Sequence, residues 1–137
     1  MMAYGAKPQS QYQEIPLKKK ILIVEDEQSL LKLESILLAS RGYEVKGVGD
    51  GQAALDVVTT MKPDLLLLDI MLPKIDGFEV CRQIKANEET RHILVVLLTV
   101  KNSNEDFAKG KQVGADYYIT KPFKSAKVIK TIQRLLS

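Results

Sequence analysis

Short apolar runs alternate along this chain with amphipathic stretches, and the apolar runs predict strands. Residues 20–24, 65–68 and 93–98 consist largely of leucine, isoleucine and valine. Short continuous apolar runs between turn residues are typical of strands that are buried on both faces. Residues 43–48 and 115–119 predict two further strands. The pattern therefore predicts five strands.

A predicted helix follows each of these strands. The first, about 28–40, shows the helical spacing of apolar residues at Leu30, Leu33, Ile36 and Leu37. The other predicted helices lie around 53–58, 78–84, 104–113 and 128–136. Strands that alternate with helices predict βαβ units with right-handed crossovers. We therefore expect one doubly wound α/β domain, in which helices cover both faces of a five-stranded parallel sheet.

The first residues differ in composition from this domain. Residues 1–19 mix glutamine, tyrosine, serine, glycine and proline without periodicity, which predicts a mobile leader. The domain is expected to take residues 20–137. A chain of 137 residues with 45% hydrophobic side chains can bury the core of one globular domain but has no room for a second.

Composition and charge exclude several classes of protein. The single cysteine, Cys81, cannot form an internal disulfide, and no apolar run is long enough to span a bilayer or to serve as a signal peptide. Residues 1–20 hold four lysines and one glutamate, whereas residues 21–137 carry 16 basic and 16 acidic side chains. We therefore expect a cytoplasmic protein without membrane insertion and without a basic field for nucleic acid.

Polar side chains stand where four of the predicted strands end. Glu25 and Asp26 follow the first strand, Asp69 the third, Thr99 the fourth and Lys121 the fifth. The carboxyl ends of parallel strands share one edge of the sheet, and ligands bind there in open α/β folds. Taken singly, these residues also fit solvated strand ends, acids that cap the first helix, or an ordinary exposed lysine. Their convergence on one edge favours a site.

Such a group of side chains suits phosphoryl chemistry. Glu25, Asp26 and Asp69 would form an all-oxygen pocket of the kind that binds Mg²⁺. The carboxylate of Asp69 is a candidate nucleophile, because attack on phosphorus forms an acyl phosphate once charge on the transferring oxygens is neutralised. Lys121 would offer a positive charge to those oxygens, and the Thr99 hydroxyl would donate a hydrogen bond.

The chain resembles a response-regulator receiver domain over residues 20–136. The resemblance rests on Glu25-Asp26, Asp69 within Leu-Leu-Asp-Ile-Met-Leu-Pro, Asp76-Gly77, Thr99, Tyr118 and Lys121-Pro122. It implies the flavodoxin-like strand order 2-1-3-4-5. It also implies a signalling module that is switched by phosphorylation. With Mg²⁺, such a module catalyses transfer of a phosphoryl group from a phosphohistidine donor onto Asp69, and later its removal.

The resemblance assigns roles to the metal pocket as well. It implies that Asp26 and Asp69 coordinate Mg²⁺ directly and that the backbone carbonyl of Met71 is a third protein ligand. Glu25 is one carbon longer than the more usual aspartate, and it is expected to act largely through water.

A conformational switch is the next implication of the resemblance. Tyr118 resembles the aromatic side chain that turns inward when Thr99 moves towards the phosphoryl group, although a half-buried strand tyrosine is an equal interpretation. The peptide bond between Lys121 and Pro122 would be cis, with a trans turn before a helix as the alternative. Val100 departs from the small residue usual in the family and is expected to crowd the phosphoryl group or Tyr118.

A second expectation concerns the lifetime of the phosphoryl group. Met71 and Lys101 should flank the path of water to it. Because a methionine cannot orient an attacking water as a carboxamide can, we predict slow self-hydrolysis.

Partners follow from the same resemblance. The phosphoryl donor would be a histidine kinase or a histidine phosphotransfer protein, and output would pass through helix four, strand five and helix five. No acid occurs after residue 120, where the basic side chains are Lys121, Lys124, Lys127, Lys130 and Arg134. This run suggests an acidic protein partner, with a solvated helix face as the alternative. Because the sequence ends after the fifth helix, we expect no effector domain and no direct contact with nucleic acid.

Other functions fit less well. A phosphatase of the haloacid-dehalogenase type typically has a second aspartate two positions after the nucleophile, where this chain has Met71. A flavin or nucleotide module would need a glycine- or hydroxyl-rich loop after the first strand, where Glu25, Asp26 and Glu27 would repel a phosphate. A pseudo-receiver that only docks other proteins stays open as the non-enzymatic alternative.

Two reactive residue types are not expected to belong to the site. His92 begins the fourth strand, at the end of the sheet opposite the acids, and is interpreted as a solvated residue. Cys81 lies on the third helix, where a core position is expected.

Overall fold

The computed structural model describes residues 17–100, 104–121 and 124–137, in which strands and helices alternate. The strands are β1 (Lys20–Val24), β2 (Glu44–Val48), β3 (Leu65–Asp69), β4 (Leu94–Thr99) and β5 (Tyr117–Thr120). The helices are α1 (Gln28–Ala39), α2 (Gly51–Met61), α3 (Gly77–Ala86), α4 (Asn104–Gln112) and α5 (Ser125–Leu136). All ten predicted elements are therefore present. The leader prediction concerns mainly residues 1–16, which lie outside the described part of the chain.

The five strands form one parallel sheet in the order β2-β1-β3-β4-β5. This order confirms the doubly wound α/β fold. The chain starts at β1, moves outward to β2, and then returns past β1 to β3. Because crossovers between parallel strands are right-handed as a rule, this reversal sends helices to both faces of the sheet and opens a crevice at the carboxyl ends of β1 and β3.

Each face of the sheet carries its own apolar core. One core joins Leu22, Leu66 and Val95 of the strands to residues of α2 and α3 such as Val58 and Ile84. The other core joins alternate strand residues to α1 and α5, and its strand members are Ile21, Ile23, Leu65, Leu67, Val96, Leu98 and Ile119. Because both faces are covered, the central strands are apolar at nearly every position instead of alternating with polar residues.

The strand β5 begins two residues later than the sequence predicts. The Asp116 amide donates a hydrogen bond to the Val95 carbonyl at 2.9 Å, and the Asp116 carboxylate accepts one from the Val95 amide at 2.8 Å. A side chain thus takes the place of a backbone partner where β5 would otherwise have started.

The face of α1 that packs against the core is not the one predicted from its apolar residues. Leu33 is 48% exposed and Ile36 is 57% exposed, whereas the buried residues of α1 are Glu34 and Leu38. The apolar spacing predicted the helix correctly, but it did not show that an acid lies on the buried side.

In the described part of the chain, no helix combines the length and the apolar character that a membrane crossing requires.

Candidate functional site

Three acids converge at the carboxyl edge of the sheet, as predicted. Glu25, Asp26 and Asp69 each offer a carboxylate oxygen, and these oxygens lie within 4.8 Å of one another. Glu25 and Asp69 are buried, with 3% exposure each, whereas Asp26 is exposed. The potential metal ligands are all carboxylate oxygens, and they lie close together in one cleft. They fit a small divalent cation such as Mg²⁺.

Backbone pairing holds the acids in place. The Glu25 amide donates to the Val48 carbonyl at 3.0 Å, which extends the pairing of β1 with β2 to the first acid. Asp69 is the last residue of β3 and is paired with Leu98 of β4. Strand pairing therefore fixes the backbone that carries Glu25 and Asp69.

Local amides orient the two buried carboxylates further. The Glu27 amide donates to Glu25 Oε2 at 3.1 Å, and the Met71 amide donates to Asp69 Oδ1 at 3.0 Å. The helix α3 packs directly behind Asp69, because a Cβ at Gly77 would lie only 2.7 Å from the Ile70 Cα. Only glycine, which has no Cβ, allows α3 to pack this closely at position 77, directly after Asp76.

Lys121 is the cation of the site. Its Nζ lies 2.8 Å from Asp69 Oδ2 and 3.8 Å from Glu25 Oε1, with the lysine side chain 19% exposed. The Lys121 amide donates to the Thr99 carbonyl, so the backbone that carries the lysine is held against the end of β4. The predicted convergence of strand-end residues thus includes a direct ion pair with Asp69.

The charges of the site shift the pKa values of two of its members. Burial raises the pKa of Glu25 to about 7 and the Asp69 charge acts in the same direction, whereas the Glu27 amide and Lys121 oppose the change. Burial alone would lower the pKa of Lys121, but the hydrogen bond and charge of Asp69 and the charge of Glu25 outweigh it and raise this pKa. One lysine faces three acids, and this excess of negative charge favours a bound cation.

The site opens into a cleft of about 790 Å³. Met71 and Val100 lie on its rim and are 63% and 56% exposed. Val100 thus faces the open cleft, and its crowding of the phosphoryl group or of Tyr118 stays a prediction. Lys101, the second predicted residue on the water path, lies outside the described residues.

Thr99 and Tyr118 connect the site with α4. Thr99 ends β4 and is 3% exposed. Tyr118 is half-buried, and its ring lies 4.4 Å from that of Phe107, between centroids. Burial raises the pKa of Tyr118, while an interaction with the Thr99 side chain acts in the opposite direction. Tyr118 thus lies beside Thr99, the residue with which the predicted switch would couple it.

Two charged residues that line the cleft were not predicted from the sequence. Asp106 and Lys109 of α4 line it, and Lys109 Nζ lies 4.8 Å from the centre of the Phe78 ring. The charged face that α4 turns to the cleft could not be identified from its spacing, because this helix has few apolar residues. The predicted cis bond before Pro122 lies outside the described residues.

The residues that were set aside lie away from the acids. His92 is exposed and precedes β4, at the opposite end of the sheet. Cys81 is fully buried, and burial raises the pKa of its thiol to about 11. A thiol with such a pKa is protonated at neutral pH and chemically inert. The core interpretation of Cys81 is confirmed.

Known sequences resemble this chain over most of its length. The family model described as the response regulator receiver domain matches residues 21–133. The chain is 41% identical over 120 residues to the alkaline phosphatase synthesis transcriptional regulatory protein PhoP of Bacillus subtilis. That match covers 88% of the chain and 49% of PhoP, so the chain spans about half the length of this curated relative.

Solved structures agree in fold. The chemotaxis response regulator CheY4 of Vibrio cholerae matches with a TM-score of 0.82 and 31% identity, covering 87% of this chain and 99% of CheY4. The receiver domain of the sensor histidine kinase PA1611 from Pseudomonas aeruginosa matches with a TM-score of 0.77 and 33% identity, covering 86% of this chain and 97% of that domain. That structure has a magnesium ion coordinated in its active site cleft. The family-model match, the strand order and the three acids at the carboxyl edge of the sheet all agree. This chain belongs to the response-regulator receiver-domain family.

Proposed function

We propose that Asp69 accepts a phosphoryl group from a phosphohistidine and that Glu25, Asp26, Asp69 and the Met71 carbonyl hold the Mg²⁺ that the reaction needs. The observation that carries the proposal is the pairing of Lys121 Nζ with Asp69 Oδ2 at 2.8 Å inside a cluster of three acids. Nucleophile, compensating cation and metal-binding oxygens thus share one cleft.

In the transfer step, an oxygen of the Asp69 carboxylate attacks phosphorus. The new P–O bond forms as the P–N bond breaks, and the electron pair of the P–N bond returns to the imidazole nitrogen of the donor. Both oxygens of the nucleophile are held for this attack, because the Met71 amide donates to Oδ1 and Lys121 to Oδ2. Bound Mg²⁺ would neutralise charge on the transferring oxygens.

Lys121 changes partner during the reaction. Its flexible side chain leaves Asp69 and pairs with the phosphoryl oxygens, and the Thr99 hydroxyl donates to another of them. Tyr118 then follows Thr99 inward, which alters the surface formed by α4, β5 and α5. We propose that this surface carries the output.

Beryllofluoride with Mg²⁺ provides the test, because it mimics a phosphoryl group on a carboxylate. Wild-type protein should show backbone amide shifts around Asp69, Thr99 and Tyr118 in ¹H–¹⁵N spectra, and Asp69→Asn should show none. Asp56→Asn is the matched control, since Asp56 is an exposed acid of α2. A wild type without any response would favour the pseudo-receiver over the phosphorylated module.

The partners are part of the same proposal. A histidine kinase or a histidine phosphotransfer protein in the cytoplasm would be the donor, and phosphotransfer profiling against purified donors would identify it. Exposed basic side chains on and before α5 support an acidic protein target, and they are Lys124, Lys127, Lys130 and Arg134. The balanced charge of residues 21–137 supports output without direct nucleic-acid contact, although PhoP is named a transcriptional regulator.

A further inference from the structure

Glu34 is a buried acid outside the phosphorylation site. It lies in the middle of α1 and is 7% exposed. Neither of its carboxylate oxygens has a hydrogen-bond partner among the described residues. An unpaired carboxylate in such a place is costly, because water no longer solvates its charge.

The carboxylate lies in a slot between α1 and α5. The slot is lined by Leu30, Glu34, Leu37 and Leu38 of α1 and by Ser125, Val128 and Ile129 of α5. Its volume is about 20 Å³, roughly the space of one water molecule. An ionised Glu34 therefore cannot be hydrated there as in bulk water, and the α1–α5 slot must loosen to accept a charge.

Among the described residues, the charged groups that act on Glu34 belong to the acid pocket, which is the cluster of Glu25, Asp26, Asp69 and Lys121. The groups that act are Glu25 after β1, Asp69 at the end of β3 and Lys121 after β5. From α5, the slot receives only Ser125, Val128 and Ile129, none of which titrates near neutral pH. Burial raises the pKa of Glu34 to about 7, and the Glu25 and Asp69 charges act in the same direction, whereas Lys121 opposes them.

We propose that Glu34 is a positioning residue that couples the charge of the acid pocket to the packing of α1 against α5. When no metal cation is bound, burial of Glu34 and the excess of acids over lysine in the pocket together favour the protonated form of Glu34, and the slot stays closed. A cation in the pocket offsets only the electrostatic part of this effect, so Glu34 releases its proton at a lower pH and the slot must then admit water. The coupling acts through the electric field and involves no contact between Glu34 and the phosphoryl group.

This inference rests on Mg²⁺ binding by the acid pocket and adds a proton to that equilibrium. By linkage, an ionised Glu34 strengthens Mg²⁺ binding as much as Mg²⁺ weakens proton binding by Glu34. Glu34→Gln cannot ionise and should bind Mg²⁺ more weakly than wild type at pH 8, by a factor of about 2–10, the range expected for charges in partly hydrated protein. At pH 5.5, where Glu34 is protonated in the wild type, the two proteins should bind Mg²⁺ equally.

The first experiment is calorimetric titration of Mg²⁺ into both proteins at pH 5.5 and pH 8. Glu89→Gln is the matched control, since Glu89 is an exposed glutamate at the other end of the sheet. A purely structural role of Glu34 would change affinity equally at both pH values. Equal affinities of wild type and Glu34→Gln at pH 8 would overturn the coupling.

A second experiment uses only the wild type, in case the variant folds poorly. The Glu34 carboxyl carbon is followed by ¹³C NMR from pH 4 to pH 9, with and without saturating Mg²⁺. The titration midpoint should lie near neutral pH without Mg²⁺ and fall when Mg²⁺ is added. A midpoint that does not move while Mg²⁺ binds would refute the coupling alone, whereas a protein that binds no Mg²⁺ would refute both the coupling and the proposed metal site.

Discussion

Two lysine–aspartate pairs stand at opposite ends of the sheet, and they have the same length. Lys121 and Asp69 are 2.8 Å apart at the carboxyl end, and Lys85 and Asp116 are 2.8 Å apart at the amino end. The two lysines are almost equally exposed, at 19% and 17%. The pairs therefore differ in their surroundings and not in their geometry.

At the amino end of the sheet, both members of the Lys85–Asp116 pair also form hydrogen bonds with backbone groups. Lys85 also donates to the carbonyl oxygens of Arg91 and Ile93, at 3.1 Å and 2.6 Å. Asp116 also accepts from the Val95 amide. The pair joins α3, β4 and the start of β5, and neither partner can leave without losing several bonds. It is a structural pair.

At the carboxyl end, the lysine is surrounded by an excess of acid. Among the described residues, the groups near Lys121 Nζ are the carboxylates of Asp69 and Glu25, and no backbone carbonyl holds it. We therefore expect that Lys121 can leave Asp69 for a phosphoryl group and still have its positive charge balanced by a negative one. The role of an ion pair thus depends on what else its atoms bind.

Removing one carboxylate at each end of the sheet should show the largest difference between the two pairs. Asp69→Asn should abolish the beryllofluoride response completely, because the carboxylate that we propose as the nucleophile is lost. Asp116→Asn should keep that response and lower the free energy of unfolding by about 1–3 kcal/mol, since Lys85 and the Val95 amide lose a charged partner. ¹⁹F NMR of bound beryllofluoride and urea unfolding separate the two effects, and a lost response in Asp116→Asn would contradict the assignment.

Replacing the lysines tests the same contrast from the cation side. Lys121→Met should slow phosphorylation by a small-molecule donor by roughly 10²-fold, because charge on the transferring oxygens is no longer compensated. Lys85→Met should leave this rate unchanged and reduce stability. The measurement is the rate of acyl-phosphate formation under saturating Mg²⁺, and similar rates for the two variants would show that Lys121 is not the functional cation.

The buried acid of α1 makes stability depend on pH. Because the folded pKa of Glu34 is raised to about 7, the folded state holds this proton over a range in which the unfolded state has lost it. Stability therefore falls as pH rises from about 4.5 to about 7, and the loss is complete above that. Glu34→Gln should remove about 2–3 kcal/mol of this loss, from the size of the pKa shift. Urea unfolding at pH 5 and pH 8 measures it, and parallel curves for both proteins would contradict the buried ionisation.

The smallest expected effect concerns the rim of the cleft. Met71→Asn should accelerate dephosphorylation by about 3–10-fold, because a carboxamide can orient the attacking water that a thioether cannot. The half-life of the acyl phosphate at neutral pH is the measurement, and a wild-type half-life of seconds would contradict the prediction of slow hydrolysis. Met71→Leu, which is equally unable to orient water, is the control.

Several features could be predicted because they depend on neighbours in the chain. The four leucines before Asp69 predicted a strand buried on both faces, and their burial at 0% exposure confirms this. Parallel strands place their carboxyl ends on one edge, so the positions of Glu25, Asp26 and Lys121 after strands were enough to bring them together. The strand order itself was expected only through the family resemblance.

Other features depend on which distant element packs where. Leu33 and Ile36 suggested the spacing of α1 but lie exposed, and Glu34 lies against α5, nearly a hundred residues away in sequence. The partnership of Lys85 with Asp116 likewise joins residues 31 positions apart. No local pattern signals either contact.

The sequence by itself determined the strands, the helices and the edge on which the acids meet, because apolar periodicity and backbone direction are local properties of the chain. Across the described ranges of the chain, only the tertiary structure decided which lysine also binds backbone carbonyls, which lysine pairs with carboxylates alone, and which acid has no hydrogen-bond partner. These differences depend on hydrogen-bond partners and on exclusion of water, and both exist only when remote helices and strands have packed together.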